Sequence, residues 1–459
     1  MARLSVMRWH KPIVTPTLSA LAVLGCVILA VMGHYLSFLF FSLFTMLVLG
    51  VPIAISLAGS CLIFVLISGQ VPNIVVAHRM INGIDSFPLL AIPFFIFAGG
   101  LMNNAGITER IFNFAKALMG WMRGGLGHVN VGASIVFSGM SGAAVADAGG
   151  LGMIEVKAMK DAGYDEEFAV GITAASSTIG PIIPPSLPMV IYGVMASASV
   201  GQLFAAGLLP GLLMGIMLML MIFLIARRRG YQRDTTFSVR VLGHTFGRAL
   251  LSLMTPVIIV GGIITGAFTP TEAAVAAVFY ALFLGVVVYR TLSWRKLLKV
   301  SMETIETTAV ILFIVAAASI FAWILTSNQV TQHVIALMGP FSDSKVVVLM
   351  MANLVLIIVG CFMETIAAIT ILVPVLLPLV MAVGVDPVHF GVIMVLNLMI
   401  GLLTPPVGMV LYVLSRVSNV SFERCMRGTI PFLIPLVICL LLVTFVPAIS
   451  MWLPTLVYR

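Results

Sequence analysis

The stretch Gly180-Pro-Ile-Ile-Pro-Pro-Ser-Leu-Pro-Met-Val-Ile-Tyr192 breaks an apolar run otherwise long enough to cross a bilayer. Proline removes backbone donors and frees carbonyls one turn back, and inside lipid such groups must find partners. A break of this kind is tolerated only where protein encloses it or where it lines a wet cavity. The same break recurs 221 residues later, at Gly401-Leu-Leu-Thr-Pro-Pro-Val-Gly-Met-Val-Leu-Tyr-Val413. Under that shift Gly180, Pro184 and Pro185 match Gly401, Pro405 and Pro406. The shift also pairs Gly139 with Gly360, Gly163 with Gly384, Asp165 with Asp386, Gly207 with Gly428 and Pro210 with Pro431. The chain reads as two related halves with a broken apolar helix at the same place in each, the sequence pattern of a secondary transporter's central binding site.

Composition agrees with a membrane setting. Of 459 residues 61% are hydrophobic and 9% charged, and the mean hydropathy is +1.19, too apolar for a soluble globule to bury. The net charge of +8 lies in short segments between apolar runs, so it reports topology and not a nucleic-acid surface. Cys26, Cys61, Cys361, Cys425 and Cys439 sit in or beside apolar runs with no metal-ligand spacing, and the seven histidines are dispersed. Neither a nucleotide-binding P-loop nor a nucleophile elbow is present, which removes the sequence warrant for ATP-driven transport and for serine hydrolysis. No nucleophile-base or metal constellation of an intramembrane enzyme is found either, and a purely structural scaffold would have no use for paired helix breaks.

Taken in order, Arg3, Arg8 and Lys11 precede an apolar segment from Ile13 to Met32. At about 20 residues it exceeds a signal peptide's apolar core and reads as an extra transmembrane helix. The first repeat spans 35–226, a basic cytoplasmic loop 227–248, the second repeat 249–451 and a tail 452–459. Each repeat opens with two apolar stretches separated by a turn, at Gly50-Val-Pro52 and at Phe268-Thr-Pro-Thr-Glu-Ala273. Further helices are predicted at Phe87 to Met102, Phe168 to Ala198 (broken), Leu203 to Ala226, Thr308 to Leu325, Phe390 to Val417 (broken) and Thr429 to Met451. Val129 to Met159 and Val346 to Met381 are divided by Ser138-Gly-Met-Ser-Gly142 and Gly360-Cys-Phe-Met-Glu-Thr365. Their short arms predict re-entrant helical hairpins.

With the N-terminus in the cytoplasm, 21 of the 24 Lys and Arg fall on that side, leaving Arg79, Lys345 and Arg459 outside. The prediction is thus an all-α polytopic membrane protein of eleven spans, an inverted-topology repeat whose two hairpins enter from opposite faces, with the C-terminus outside.

Hairpin tips and broken helices bring carbonyls, hydroxyls and helix ends to membrane depth, and those are ligands for a hard monovalent cation. The candidates for sodium or substrate binding are Ser138, Gly139, Ser141, Asp147, Ser176, Ser177, Thr178 and Pro184 in the first half. In the second half they are Gly360, Glu364, Thr365, Asn397, Thr404 and Pro405. Small residues of these types also let membrane helices pack closely, which is the competing explanation for any one of them. Carboxylates are costly in lipid, about 2.5 to 3.5 kcal/mol on the insertion scale. Asp147 and Glu364 lie near the tips, for an ion-site role or as helix caps. Glu155 is expected to pair with Lys157 or Lys160, and Glu272 to cap a helix start.

Phe137-Ser-Gly-Met-Ser-Gly-Ala-Ala-Val-Ala-Asp147, Ile183-Pro-Pro-Ser-Leu-Pro-Met-Val-Ile-Tyr-Gly193, Phe268 to Ala273, Asp386-Pro-Val-His-Phe-Gly391 and Asn397 to Pro406 together resemble the large permease subunit of TRAP transporters, the DctM family, from about Tyr35 to Met451. The resemblance implies a sodium-driven, elevator-type importer of organic acids such as C4-dicarboxylates or sugar acids in a bacterial or archaeal inner membrane. It implies two partners, a small four-helix membrane subunit of the DctQ type and a periplasmic substrate-binding protein of the DctP type. No cofactor is implied beyond the coupling ion. The chain departs from the family at Ala143 and Ala144, where hydroxyls are common. A stand-alone sodium-dicarboxylate symporter of similar architecture is the alternative, distinguished by whether transport needs a soluble binding protein.

Overall fold

The computed structural model describes residues 25–26, 28–29, 32–69, 71–330, 332–333 and 344–458. The helix expected over Ile13 to Met32 lies largely outside the described residues. Within them, regular structure is helical apart from one isolated antiparallel bridge between Arg123 and Arg233.

In the first half α1 (Tyr35–Val48) and α2 (Ile53–Ser68) flank Gly50, at φ +80°, and Pro52. They are followed by α3 (Ile74–Ile84), a 3-10 turn (Phe87–Leu90) leading into α4 (Ala91–Asn104), and α5 (Ile107–Met119). A helical hairpin comes next, with α6 (Gly125–Ser141) as one arm and α7 (Ala144–Gly149) plus α8 (Leu151–Asp161) as the other. The broken helix is α9 (Glu166–Ser177) and α10 (Leu187–Met195), and α11 (Val200–Arg229) closes the half. The second half repeats the scheme with α12 (Val239–Ile264), α13 (Pro270–Leu282) and α14 (Trp294–Ser327). Its hairpin is α15 (Lys345–Phe362) and α16 (Thr365–Ala382), and its broken helix is α17 (Pro387–Gly401) and α18 (Met409–Ser418). The chain ends in α19 (Phe422–Phe445) and α20 (Ala448–Val457).

The internal repeat persists in the hairpins and the broken helices. α7 and α16 begin 221 residues apart, α8 and α16 end 221 apart, and α9 and α17 begin 221 apart. Both Pro-Pro bonds, Pro184-Pro185 and Pro405-Pro406, are cis.

Helix starts follow from capping chemistry. Ser199, Ser238, Ser293 and Ser344 each accept a backbone N–H from the first turn of α11, α12, α14 and α15. Thr269 and Glu272 form a reciprocal capping box at the start of α13, which accounts for Glu272 as a structural carboxylate. Arg227, Arg228 and Arg229 occupy the last turn of α11, where the helix dipole favours positive charge.

The two halves interlock. α10 of the first half packs on α16 of the second, and α18 of the second packs on α7 and α8 of the first. α9 meets α19 so closely that a Cβ on Gly171 would lie 2.0 Å from the carbonyl oxygen of Gly428. The Tyr192 hydroxyl on α10 donates to the Pro387 carbonyl at 2.6 Å, joining the two broken helices. Around this centre α1, α2 and α3 gather on α14 with a smaller core of their own, including Leu39, Leu57, Phe64 and Phe321, while α12 and α13 pack on α5 and α4.

Eight of the described helices are long and apolar enough to cross a membrane by length and composition. Both arms of the second hairpin, at 18 residues each, are among them. Three expectations change. The helix expected over Thr429 to Met451 is two, because Pro447 has no N–H to continue α19 and starts α20 instead. The loop expected over 227–248 is shorter, since α11 runs to Arg229 and α12 begins at Val239. α3 and α5 were not expected at all, being short and carrying polar faces that a search for apolar runs passes over.

Candidate ion and substrate site at the paired helix breaks

Each break is held by its own half's hairpin, in a different way. In the first half the Ser186 hydroxyl donates to the Pro181 carbonyl and accepts from Met189 N at 3.2 Å, so one side chain both satisfies a freed carbonyl and caps α10. The hairpin turn sits directly on this break. Gly142 has φ +61° and a Cβ there would lie 2.4 Å from the Pro185 carbonyl oxygen, so the position requires glycine twice over. In the second half Val407 N donates to the Cys361 carbonyl at 3.2 Å, tying break to tip. Gly401 touches Gly360, and a Cβ on Gly401 would lie 2.6 Å from the Gly360 carbonyl carbon. Pro184 and Pro185 are buried, whereas Pro405 and Pro406 are exposed.

The remaining tip residues divide by role. Ser138 is fully buried and donates to the Ile135 carbonyl at 2.5 Å. Gly139 is closed against Pro256 of α12, where an added Cβ would lie 2.4 Å from the ring. Ser141 ends α6. Asp147 is buried on α7 with a carboxylate oxygen against Gly180, so that a Cβ on Gly180 would lie 2.2 Å from it. Glu364 is the N-cap of α16, accepting from Ile366 N at 3.0 Å and Ala367 N at 3.3 Å, and Thr365 is buried in the first turn. The capping role accounts for Glu364 on its own. Ser177, Thr178 and Thr404 donate to the carbonyls of Ala174, Ala175 and Ile400 of their own helices, at 2.8, 2.6 and 2.8 Å.

Ser176 and Asn397, equivalent under the 221-residue shift, share one arrangement. The Ser176 hydroxyl on α9 donates to Asn130 Oδ1 on α6 at 2.6 Å. Asn397 Nδ2 on α17 donates to Asn353 Oδ1 and to the Asn353 carbonyl on α15, at 2.7 and 3.0 Å. In each half the residue before the break is hydrogen-bonded to an asparagine on the first arm of the hairpin. Asn397 Oδ1 is left buried with no hydrogen-bond partner among the described residues. Sequence reasoning misses Asn130 and Asn353, whose signal is a lone amide inside an apolar helix, at Val129-Asn-Val131 and Ala352-Asn-Leu354.

The buried polar residues described are serines, threonines, asparagines, two histidines, Asp147 and Glu155, with no Lys or Arg. Glu155 does not pair as expected. Lys160 bridges Glu166 at 2.7 Å instead, and Glu155 is buried with Oε1 unpartnered among the described residues. Helix ends add to the negative character, since the C-terminal ends of α15 and α17 abut at Gly360 and Gly401. An environment of hydroxyl, amide and carboxyl oxygens without buried Lys or Arg suits a small cation far better than an unaccompanied anion.

Residues 40–449 match the model of the tripartite ATP-independent periplasmic transporter, DctM component. The chain belongs to the DctM family. It is 50% identical to the sialic acid TRAP transporter large permease protein SiaM of Vibrio cholerae, over 89% of this chain and 95% of that protein. It is 43% identical to the sialic acid TRAP transporter permease protein SiaT of Haemophilus influenzae, over 89% of this chain and 66% of that protein. Against the C4-dicarboxylate TRAP transporter large permease protein DctM of Pseudomonas aeruginosa the identity is 39%, over 82% and 88% of the two chains. In fold the DctM chain resembles the YdaH transporter of Alcanivorax borkumensis, with TM-score 0.54 and 14% identity, covering 82% of this chain and 88% of that one. This DctM protein is a multi-pass membrane component of a TRAP transporter.

Proposed function

We propose that the chain is the ion-coupled permease subunit of a tripartite importer of organic acids, and that sodium drives it. The observation that carries the reading is the pair of equivalent polar positions, Ser176 and Asn397, each one turn or two before a Pro-Pro break and each held by a hairpin asparagine. Proline-freed carbonyls, neutral side-chain oxygens and abutting helix C-termini form a cation's ligand set. Each sodium ion entering down 100 mV contributes about 2.3 kcal/mol from the potential alone, so two ions can concentrate a monoanion without ATP. In this reading the hairpins are re-entrant, the halves are inverted in the membrane, and the interlocked hairpins and broken helices move as one elevator body. The N-terminus lies in the cytoplasm and the C-terminus in the periplasm of an inner membrane.

The substrate class follows from the relatives. The two of higher identity described above are named for sialic acid, which favours a sugar acid over a C4-dicarboxylate. A periplasmic binding protein and a small membrane subunit are the partners expected of a DctM component. The stand-alone sodium-dicarboxylate symporter remains the rival. Uptake of labelled sialic acid by vesicles carrying this chain and the small subunit, with and without the cognate binding protein, separates them. Strict dependence on the binding protein supports the tripartite reading, and equal uptake without it overturns that reading.

A further inference from the structure

We infer that Asn353 and Asn130 are positioning residues that aim the ion ligands of the two halves, an inference that rests on the sodium-coupled reading above. A backbone carbonyl only accepts, so the Asn353 carbonyl fixes which end of the Asn397 amide faces it. The same nitrogen donates to Asn353 Oδ1. Asn353 is oriented in turn, because its own Nδ2 donates to Thr444 Oγ1 at 3.2 Å, and the Thr444 hydrogen is committed to the Leu440 carbonyl at 2.7 Å. The donors therefore run one way from Asn397 to α19. The lone pairs of Asn397 Oδ1 are left over, buried and unpartnered among the described residues. Turning the amide over would bring its hydrogens toward a cation and strand two buried acceptors on Asn353.

The first half reaches the same result from different positions. Asn130 Nδ2 donates to Thr173 Oγ1 at 2.7 Å, whose hydrogen goes to the Ala169 carbonyl at 2.8 Å. Asn130 Oδ1 then takes the hydrogen of Ser176, leaving the lone pairs of that hydroxyl for a cation. The 221-residue shift pairs Asn130 with Met351 and Asn353 with Gly132, so the two asparagines are not copies of one ancestral position. Two separate solutions that both draw hydrogens off the residue before the break are explained by a need for bare oxygen there. Polar adhesion between helices sets no such direction.

The test is a sodium titration of the thermal stability of the purified full-length chain, with choline holding ionic strength constant. Asn353→Leu and Asn130→Leu are expected to raise the sodium midpoint about tenfold, while stabilisation at saturating sodium persists. Asn353→Asp, which still accepts from Asn397 and from a reoriented Thr444, restores the midpoint. Thr444→Val keeps the volume and releases only the far end of the chain of donors. It shifts the midpoint in the same direction, so the inference is tested even where a leucine variant does not fold. Thr429→Val, a buried α19 hydroxyl bonded among the described residues only to its own helix, leaves the midpoint unchanged. Wild-type midpoints in the leucine variants and in Thr444→Val overturn the positioning inference alone. A wild-type chain that sodium does not stabilise overturns the sodium reading and this inference with it.

Discussion

The side-chain amide of Asn397 donates to Oδ1 of Asn353 at 2.7 Å, joining the second broken helix to the first arm of the hairpin seated on its break. One contact thus ties the broken helix α17 to the hairpin arm α15. Its counterpart between Ser176 and Asn130 does the same in the first half. If sodium binds at the two breaks as proposed above, these contacts link its occupancy to the hairpins.

Ser176→Ala and Asn397→Ala remove one or two hydrogen bonds each, on the order of 1 to 2 kcal/mol in a membrane protein, which a polytopic bundle survives. Both variants are expected to insert and purify normally yet show a sodium response shifted right by roughly tenfold in uptake assays. Unchanged sodium affinity in both assigns the two residues to helix packing.

Gly401→Ala places a methyl group 2.6 Å from the Gly360 carbonyl carbon, where neither partner is a flexible side chain. Overpacking of this kind costs about 1 to 3 kcal/mol and forces the tip off its seat. The expected outcome is a lowered melting temperature and lost transport. Gly384→Ala is a poor control because Gly384 has φ +72°, whereas Gly261, with open space around it and an ordinary φ, is a good one. Gly261→Ala should leave both readouts near wild type.

The connector between the halves is pinned by Asp234, whose Oδ2 accepts from Leu126 N at 2.8 Å and from the Tyr164 hydroxyl at 2.6 Å. The backbone N–H groups of Asp234 and Thr235 both reach the Gly120 carbonyl. Asp234→Ala strands two donors at the foot of the first hairpin and should destabilise by about 1 to 3 kcal/mol, measured as a fall in melting temperature. A shift indistinguishable from zero removes the connector as an anchor of that hairpin.

Much of this arrangement was legible because proline and glycine act locally. The paired breaks, both hairpin turns and the capping box at Thr269 and Glu272 each announce themselves within a few residues. The partners of Ser176 and Asn397 did not, because Asn130 and Asn353 lie 46 and 44 residues away and a lone amide in an apolar helix names no partner. Proximity along the chain points Glu155 to Lys157 and Lys160, but Lys160 turns to Glu166 across a helix boundary that such proximity does not reveal. The sequence admits Glu364 as an ion ligand or a cap, and its position one residue before α16 favours the cap. The 221-residue shift equates it with Ala143, so the two tips are capped by different residues despite the repeat.

At the base of α9, the Tyr231 hydroxyl and then Arg229 hold the Asp165 carboxyl below its ordinary range. A carboxylate with a lowered folded pKa stabilises above its unfolded value, about 3.9, and loses that contribution as pH falls through the folded value. With a side chain 59% exposed, the gain is screened to no more than about 1 kcal/mol. Asp165→Asn should therefore change stability little at pH 7 and flatten the loss of stability below about pH 4. A large effect at neutral pH would assign Asp165 a further role.

Sodium coupling at the two breaks is the central claim, and ion substitution in proteoliposomes tests it most directly. With the chain reconstituted beside its small subunit and supplied with loaded binding protein, uptake is measured under an inward sodium gradient. It is then measured with potassium replacing sodium at constant pH and membrane potential. Sodium coupling predicts concentrative uptake with sodium and none above background with potassium, whereas full uptake with potassium alone would contradict it.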